Sequence, residues 1–543
     1  MDKIRQMDQH PGFHAVMAMV ILPVALWEVY GVFRLASSPK LPTFSLLLHA
    51  GLLVLGAKLL ATSFRGYNFY RRARSLGCGT VPVYPHKDPI LGLDLVLEAV
   101  PRLKSFTAIQ WISERLAKYG THYHKTLGGE WILLTDEPEN IKAILGTKFD
   151  DFPIGGPRLL ATLPILGNNS VFTTNGEAWH RNRAMIRPAF VRDQVADLAC
   201  FDKHTSNMIR RIPTDGRTFD MQNLLQDMTM DSSSDFLLGY STNMLTDKPA
   251  PGADIFIRAF HLANEECAKM GRIGTLLFKL PHKALYANIK TERDFIRSYL
   301  RKAAADRDER MARGEPKKRS YVFLDELLDE GHAEEYLMDQ LLSVMIAGRD
   351  TTAMAITSTL WYLARNPAAV KRLRDEIANL GAQNPTWEQL KNMRYLNNII
   401  KESLRLIPPV PTNSRKANKD TMLPRGGGPD GKQPVLVPAG QAVRWSLMSM
   451  QRRTDIYGPD ADEFRPERWE DDGLRPGWEY VPFSGGPRIC IGQQFALTQI
   501  SFVLFRVFQA FEAIEARDDD ELRLQPNLTV SFALGCPVAM TPA

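Results

Sequence analysis

Beyond about residue 96, apolar residues recur every three to four positions, the spacing of a helix with one buried face. The longest such run, Leu337 to Ala364, predicts a single long buried helix. Strand-like alternation is confined to Trp131–Thr135, Pro434–Val437, Gln441–Arg444 and Asn527–Leu534. The balance predicts a mainly α domain with a small β subdomain, spanning residues 96–543 without a dividing linker. The charged tract Arg307 to Arg319 interrupts the apolar rhythm and reads as a solvated loop or a frayed helix end.

The amino terminus carries a different pattern. Ala15 to Phe33 is apolar apart from Glu28 and contains Pro23, and Leu41 to Phe64 is apolar apart from His49 and Lys58. Each approaches the ~20 residues that a helix needs to cross a bilayer. Residues 1–64 therefore read as a membrane anchor of one or two transmembrane helices. Arg65, Arg71, Arg72 and Arg74 follow, with no acidic residue between Glu28 and Asp88, which puts everything after Phe64 on the cytosolic side. Residues 65–95, with this basic cluster and Pro82, Pro85 and Pro89, read as a stiff hinge.

Composition narrows the function classes. A net charge of +6 over 543 residues gives no nucleic-acid footprint. Five scattered cysteines (Cys78, Cys200, Cys267, Cys490 and Cys536) exclude a disulfide framework and fit a reducing compartment.

One of those cysteines lies in Phe483-Ser-Gly-Gly-Pro-Arg-Ile-Cys490-Ile-Gly492, a loop pattern that presents a thiolate to a haem iron. A soft thiolate pushes electron density onto iron and favours O–O cleavage. Gly486 and Gly492 are expected to let the backbone approach a porphyrin, Phe483 to shield the sulfur, and Arg488 to pair with a propionate. The alternative for Cys490 is an ordinary buried thiol. Within the long helical run, Ala347 and Gly348 are expected to open room for a ligand. There Thr351 is expected to bond the carbonyl four residues back and, with Asp350, to relay protons. Glu402 and Arg405 share one helix face and, with Arg468, predict a buried charge network that holds the cysteine loop. Trp179 with Arg183, and Arg415 further on, are further candidates for the propionates. The basic run Arg181, Arg183 and Arg187 offers a docking charge for an acidic electron donor.

These elements, in this order, resemble the cytochrome P-450 superfamily of haem-thiolate monooxygenases. Within it, the chain is similar to the fungal microsomal n-alkane and fatty-acid hydroxylase group. That likeness rests on Gly176–Trp179 through Arg187–Phe190, Ala347–Thr352, Leu423–Gly431 with Val435–Pro438, and Gly485–Cys490 with Gln493–Leu497. Ser484 stands where that group commonly carries Asn, and Gln451-Arg452 where it carries His-Arg, the pattern of a sister family. The resemblance implies a cytochrome P-450 fold with an N-terminal transmembrane anchor at the endoplasmic reticulum membrane, its catalytic domain facing the cytosol. It implies haem b (iron protoporphyrin IX) on Cys490 as axial ligand, dioxygen bound opposite, and Asp350 and Thr351 as proton donors. NADPH-cytochrome P-450 reductase, with cytochrome b5 as an alternative donor, would supply electrons for hydroxylation of n-alkanes or fatty acids at or near the terminal carbon. Leu159, Leu160, Leu163, Leu166, Val410 and Phe532 are the expected channel walls. Two other readings stand beside this one: a monooxygenase of another lipophilic or secondary metabolite, and a haem-thiolate isomerase or non-catalytic haem binder.

Overall fold

The computed structural model describes residues 64 and 66–543, apart from 89–91, 127–129, 192–197, 274–281, 316–321, 382, 472 and 520. Both apolar N-terminal segments, and with them the expected anchor, lie outside the described residues save for Phe64. Among the described residues no helix is long and apolar enough to cross a membrane.

Eight helices position the site: α1 (Gly156–Leu166), α2 (Gly176–Ile186), α3 (Met221–Leu238), α4 (Ala253–Ile273), α5 (Lys283–Ala312), α6 (Glu334–Leu363), α7 (Arg394–Leu406) and α8 (Gln493–Ala510). The expected long helix is α6. It has no internal proline, and Pro367 opens the helix that follows it, a position where proline is tolerated. Residues on every side of α6 are buried, from Leu337 and Met338 through Thr352 and Ala353 to Leu360, so it runs through the interior rather than across a face. The tract from Arg307 is helical as far as Ala312, the end of α5. Surface ion pairs such as Arg310–Asp325 hold it, and residues 316–321 are outside the description.

The β part is small. Strands β1 (His122–Lys125), β2 (Trp131–Thr135), β3 (Thr412–Lys416) and β6 (Ala442–Ser446) form one sheet in the order β1–β2–β6–β3. The β2/β6 pair is parallel, with Ile132 beside Ala442, and the others are antiparallel. β4 (Thr421–Gly427) and β5 (Gln433–Val437) form a hairpin. The strand expected over Asn527–Leu534 reduces to Ser531–Phe532, because the segment before it turns inward.

The proline-rich stretch is not a free spacer. Tyr84 N–H donates to Tyr123 O (2.8 Å), Tyr123 N–H to Pro82 O (2.9 Å), and Gly79 N–H to Pro434 O (2.9 Å). A Cβ on Gly79 would lie 2.2 Å from the amide nitrogen of Gly428, and one on Gly427 would lie 2.6 Å from Pro434 O. The Arg-Gly-Gly-Gly insertion at 425–428 is therefore a seat for the chain entering the domain.

Candidate active site

Cys490 lies between the buried Val481 and the start of α8. Its N–H donates to Phe483 O at 3.0 Å, which closes the loop, and Ile489 N–H donates to Gly486 O at 3.0 Å. Gly486 has φ +64°. A Cβ there would sit 1.8 Å from Leu145 O, so the protein's own backbone already requires glycine here. Gly492 is under no such constraint: its φ is −82° and a Cβ would meet only the Phe190 ring at 3.5 Å. Phe483 is half-buried against the main core.

Ser484 is one of three non-glycine residues with positive φ among those described, at +64°. A side chain in the left-handed region is strained, and Asn tolerates it better than Ser. Ser484→Asn is therefore expected to raise stability by about 1 kcal/mol, read from the thermal midpoint; an unchanged midpoint would show that the turn carries no strain.

The Cys490 sulfur accepts the Gly492 N–H. Burial pushes its thiol pKa up, while that amide and the Arg183 charge pull it back. The residue nonetheless keeps accessible surface. A metal that displaced the proton would turn this thiol into the ligand form.

Four guanidiniums gather beside the loop. Arg488 donates to Val171 O (3.2 Å), Thr174 O (2.9 Å) and Asn175 Oδ1 (3.0 Å), with its Cζ 4.3 Å from the ring centroid of the buried Trp179. Arg415 of β3 is buried and donates to Ser414 O at 2.8 Å. Arg158 of α1 reaches Asn413 Oδ1 at 2.8 Å. Arg183 of α2 donates to Ile489 O at 2.9 Å, one residue before the cysteine. Among the described residues no carboxylate is paired with any of the four. Burial lowers Arg158 to about 10, and burial with the neighbouring Arg158 and Arg183 charges lowers Arg488 to about 9. Arg415 is pushed well below its ordinary value by burial, then by Arg158 and Arg488. Interior cations massed without a counter-charge fit a dianionic ligand, and the two haem propionates match that requirement.

Arg158 escapes sequence reasoning because nothing in the leucine-rich stretch around it forms a motif. Arg158→Met is expected to act with opposite signs: a more stable apoprotein, since one member of a repelling cluster is gone, and weaker haem retention. Chemical denaturation of the apoprotein and haem transfer to apomyoglobin check the two; equal signs would break the propionate assignment.

The charge network under the loop assembles as the spacing predicts. Glu402 accepts from Arg405 Nε (2.9 Å) and Nη2 (2.8 Å), from Arg468 Nε (3.3 Å) and from the Arg465 amide (3.0 Å). Trp469 Nε1 adds a bond at 3.0 Å that sequence reasoning did not supply. Arg405 also caps the carbonyls of Gln451 (2.7 Å) and Ala461 (2.6 Å), and Arg468 caps Tyr457 O (2.7 Å) and pairs with Asp460 (3.0 Å). Gln451 completes the link: its amide donates to Arg405 O (2.9 Å) and accepts from Val481 N–H (3.2 Å), two residues before Phe483.

On α6, Thr351 Oγ1 donates to Ala347 O at 2.6 Å, the expected bond four residues back. Gly348 does not open room for a ligand; a Cβ there would lie 3.2 Å from Ser233 Oγ, so the glycine allows α3 to pack close. Asp350 accepts from Arg349 Nη1 (2.5 Å), whose Nη2 donates to His261 Nε2 (2.8 Å) on α4. Leu166 and Phe532 are fully packed core residues, Phe532 against Trp361 at 5.7 Å, so neither walls a channel. Leu159, Leu160, Leu163 and Val410 keep accessible surface.

Known proteins are similar to this chain in sequence. A family model for cytochrome P450 matches residues 99–535. The chain is 40% identical over 473 residues to cytochrome P450 monooxygenase himC of Aspergillus japonicus, covering 86% of this chain and 84% of that one. It is 39% identical over 470 residues to cytochrome P450 52E1 of Candida apicola (83% and 88%) and 38% over 477 residues to cytochrome P450 52A6 of Candida tropicalis (83% and 89%). The chain belongs to the cytochrome P450 family and is a haem-dependent monooxygenase.

Proposed function

We propose that this monooxygenase hydroxylates n-alkanes or fatty acids at or near the terminal carbon, at the cytosolic face of the endoplasmic reticulum membrane, with electrons from NADPH-cytochrome P450 reductase. The observation that carries the substrate class is helix α1. Its segment from Leu159 to Leu166 holds no charged side chain, and Leu159, Leu160 and Leu163 stay partly exposed where α1 packs against α6, α4 and β3. Partly exposed leucines on an uncharged helix segment offer apolar surface to a lipophilic chain.

Haem, once bound, supplies the centre at which dioxygen is activated and the C–H bond oxidised. Cys490 would hold it through its sulfur, and Arg158, Arg183, Arg415 and Arg488 would neutralise its propionates. Phe483, Gly486, Gly492 and Trp179 shape the pocket walls. Thr351 spends its proton on Ala347 O, which leaves its oxygen able to accept from a water, and Asp350 next to it provides a carboxylate for the relay. Exposed Arg181 and Arg187 flank Arg183 on the outside, where an acidic redox partner would be attracted.

A second reading, oxidation of another lipophilic metabolite, is favoured by Gln451 and Ser484, where the alkane group carries other residues. Spectral titration of the haem protein with alkanes and fatty acids of graded length separates the two. Displacement of the iron's water by chains in one length window is expected, whereas indifference to every chain would favour the second reading. Thr351→Ala is expected to keep haem binding while sending reducing equivalents to hydrogen peroxide; unchanged coupling would remove Thr351 from the proton path.

A further inference from the structure

Cys200 and His204 lie one turn apart on the helix Ala199–Ile209, and Asp235 stands on α3, which packs beside it. A thiol, an imidazole and a carboxylate meet there, with one ligand atom of each within 4.8 Å of the others. His204 is fully buried, with Nε2 2.8 Å from Asp235 Oδ2 and Nδ1 enclosed without a partner. A neutral ring that gives its one proton to Asp235 leaves a lone pair unused in the interior, which is costly in a folded protein. Burial pushes the Asp235 carboxyl up, but hydrogen bonds from His204 and Lys203 outweigh it and hold the group below its ordinary value. It is therefore anionic at neutral pH. Cys200 Sγ lies 3.8 Å from Ser232 O and is half-buried, and Asp235 also keeps accessible surface, so the group is reached from solvent.

This donor set prefers one kind of metal. A thiolate selects soft and borderline divalent ions over magnesium and calcium, which take oxygen ligands. Zinc accepts a cysteine sulfur, a histidine nitrogen and a carboxylate oxygen in a tetrahedron whose fourth place water can fill. Bonds of about 2.0–2.3 Å put such ligands roughly 3.3–3.6 Å apart, so the three side chains need to close in by about 1 Å. Lys203 is the built-in competitor. Its ammonium sits 2.8 Å from the same Asp235 oxygen, on a side chain that is 54% exposed and can swing into water when a metal takes the carboxylate.

We propose that Cys200, His204 and Asp235 bind one zinc ion that fastens the helix Ala199–Ile209 to α3. On binding, the Cys200 S–H bond breaks, a sulfur–zinc bond forms and the proton leaves to solvent. His204 gives a lone pair, Asp235 exchanges the Lys203 ammonium for the metal, and no electron is transferred. The fastening bears on the cysteine loop from behind. Phe201 and Phe236, next in sequence to Cys200 and Asp235, close on Phe495 with ring centroids 5.0 and 4.8 Å away. Phe495 lies in the first turn of α8, just after Cys490 and Gly492. The ion is thus a structural clamp and takes no part in the oxidation.

The test uses full-length, haem-loaded enzyme stripped of other metals by a chelator and then titrated with zinc against a chromophoric competitor. Expected are one zinc per haem and a higher thermal midpoint, with no comparable effect of magnesium or calcium. Cys200→Ala and Asp235→Asn are expected to weaken binding at least ~100-fold and to lose the thermal shift. Lys203→Met is expected to tighten binding, because it frees the carboxylate. Anomalous diffraction at the zinc edge should place the ion among the three side chains. Should a ligand variant fail to fold, Lys203→Met and the diffraction still decide. Zinc that binds Cys200→Ala as tightly as wild type, zinc found at another cysteine, or no stoichiometric zinc overturns the site. Unchanged affinity in Lys203→Met removes Asp235 from the ligands, and zinc seated there without a thermal shift overturns the clamp.

Discussion

Cys490→Ala is expected to abolish turnover and the red-shifted Soret band of the reduced carbon-monoxide complex, while leaving the fold intact. The loop does not depend on the sulfur for its shape. Its closing bond runs from the Cys490 amide to Phe483 O, Gly486 is wedged against Leu145 O, and Arg488 is tied to the carbonyls of Val171 and Thr174. Alanine preserves all of these. What it removes is the soft, charged donor that the chemistry needs. Far-ultraviolet circular dichroism should match the wild type, and haem retained by the arginine cluster should give a spectrum without thiolate character. An unchanged red-shifted band would mean that another residue ligates the iron.

Glu402→Ala is expected to have the largest effect on stability. It deletes the one carboxylate between Arg405 and Arg468, whose side chains are 0% and 3% exposed. Breaking a buried pair from one side leaves an uncompensated charge and costs about 3–5 kcal/mol. That is a large part of the ~5–15 kcal/mol a folded domain has to lose. The damage should spread to the haem, because Gln451 transmits the position of Arg405 to Val481 and thence to the cysteine loop. Urea unfolding should show a lower midpoint, with haem lost before the helices melt. A loss below about 1 kcal/mol would place the network among ordinary surface pairs and refute its anchoring role.

Local spacing made the helix of Thr351, its bond to Ala347 and the Glu402–Arg405 pair legible, because each depends on positions three or four apart. The strand Trp131–Thr135 was legible for a similar reason of short-range pattern, whereas Arg468 meets Glu402 across 66 positions. The Arg158–Arg415–Arg488 cluster was only partly so. Its members lie on a helix, a strand and a loop far apart in sequence, and only tertiary folding brings them together. Glycines were located but their protein neighbours were not: Gly348 and Gly486 face Ser233 and Leu145, contacts that one-dimensional pattern does not contain. The Arg-Gly-Gly-Gly insertion marks lineage through a packing seat for Gly79, and so carries no information about substrate.

Topology has one usable reporter. Of the two Asn-x-Ser/Thr sequons, Asn527 turns its amide inward, whereas Asn168 is exposed. An unglycosylated Asn168 in a eukaryotic host is the expected outcome for a cytosolic domain, and glycan there would reverse the orientation.

The most direct measurement is turnover under isotopically labelled dioxygen, with purified enzyme, NADPH and reductase, on n-alkanes and fatty acids of graded length. One labelled oxygen at or next to the terminal carbon of chains in a defined length window is the predicted product. Unlabelled product, or no product from any chain while another lipophilic compound is oxidised, would contradict the assignment.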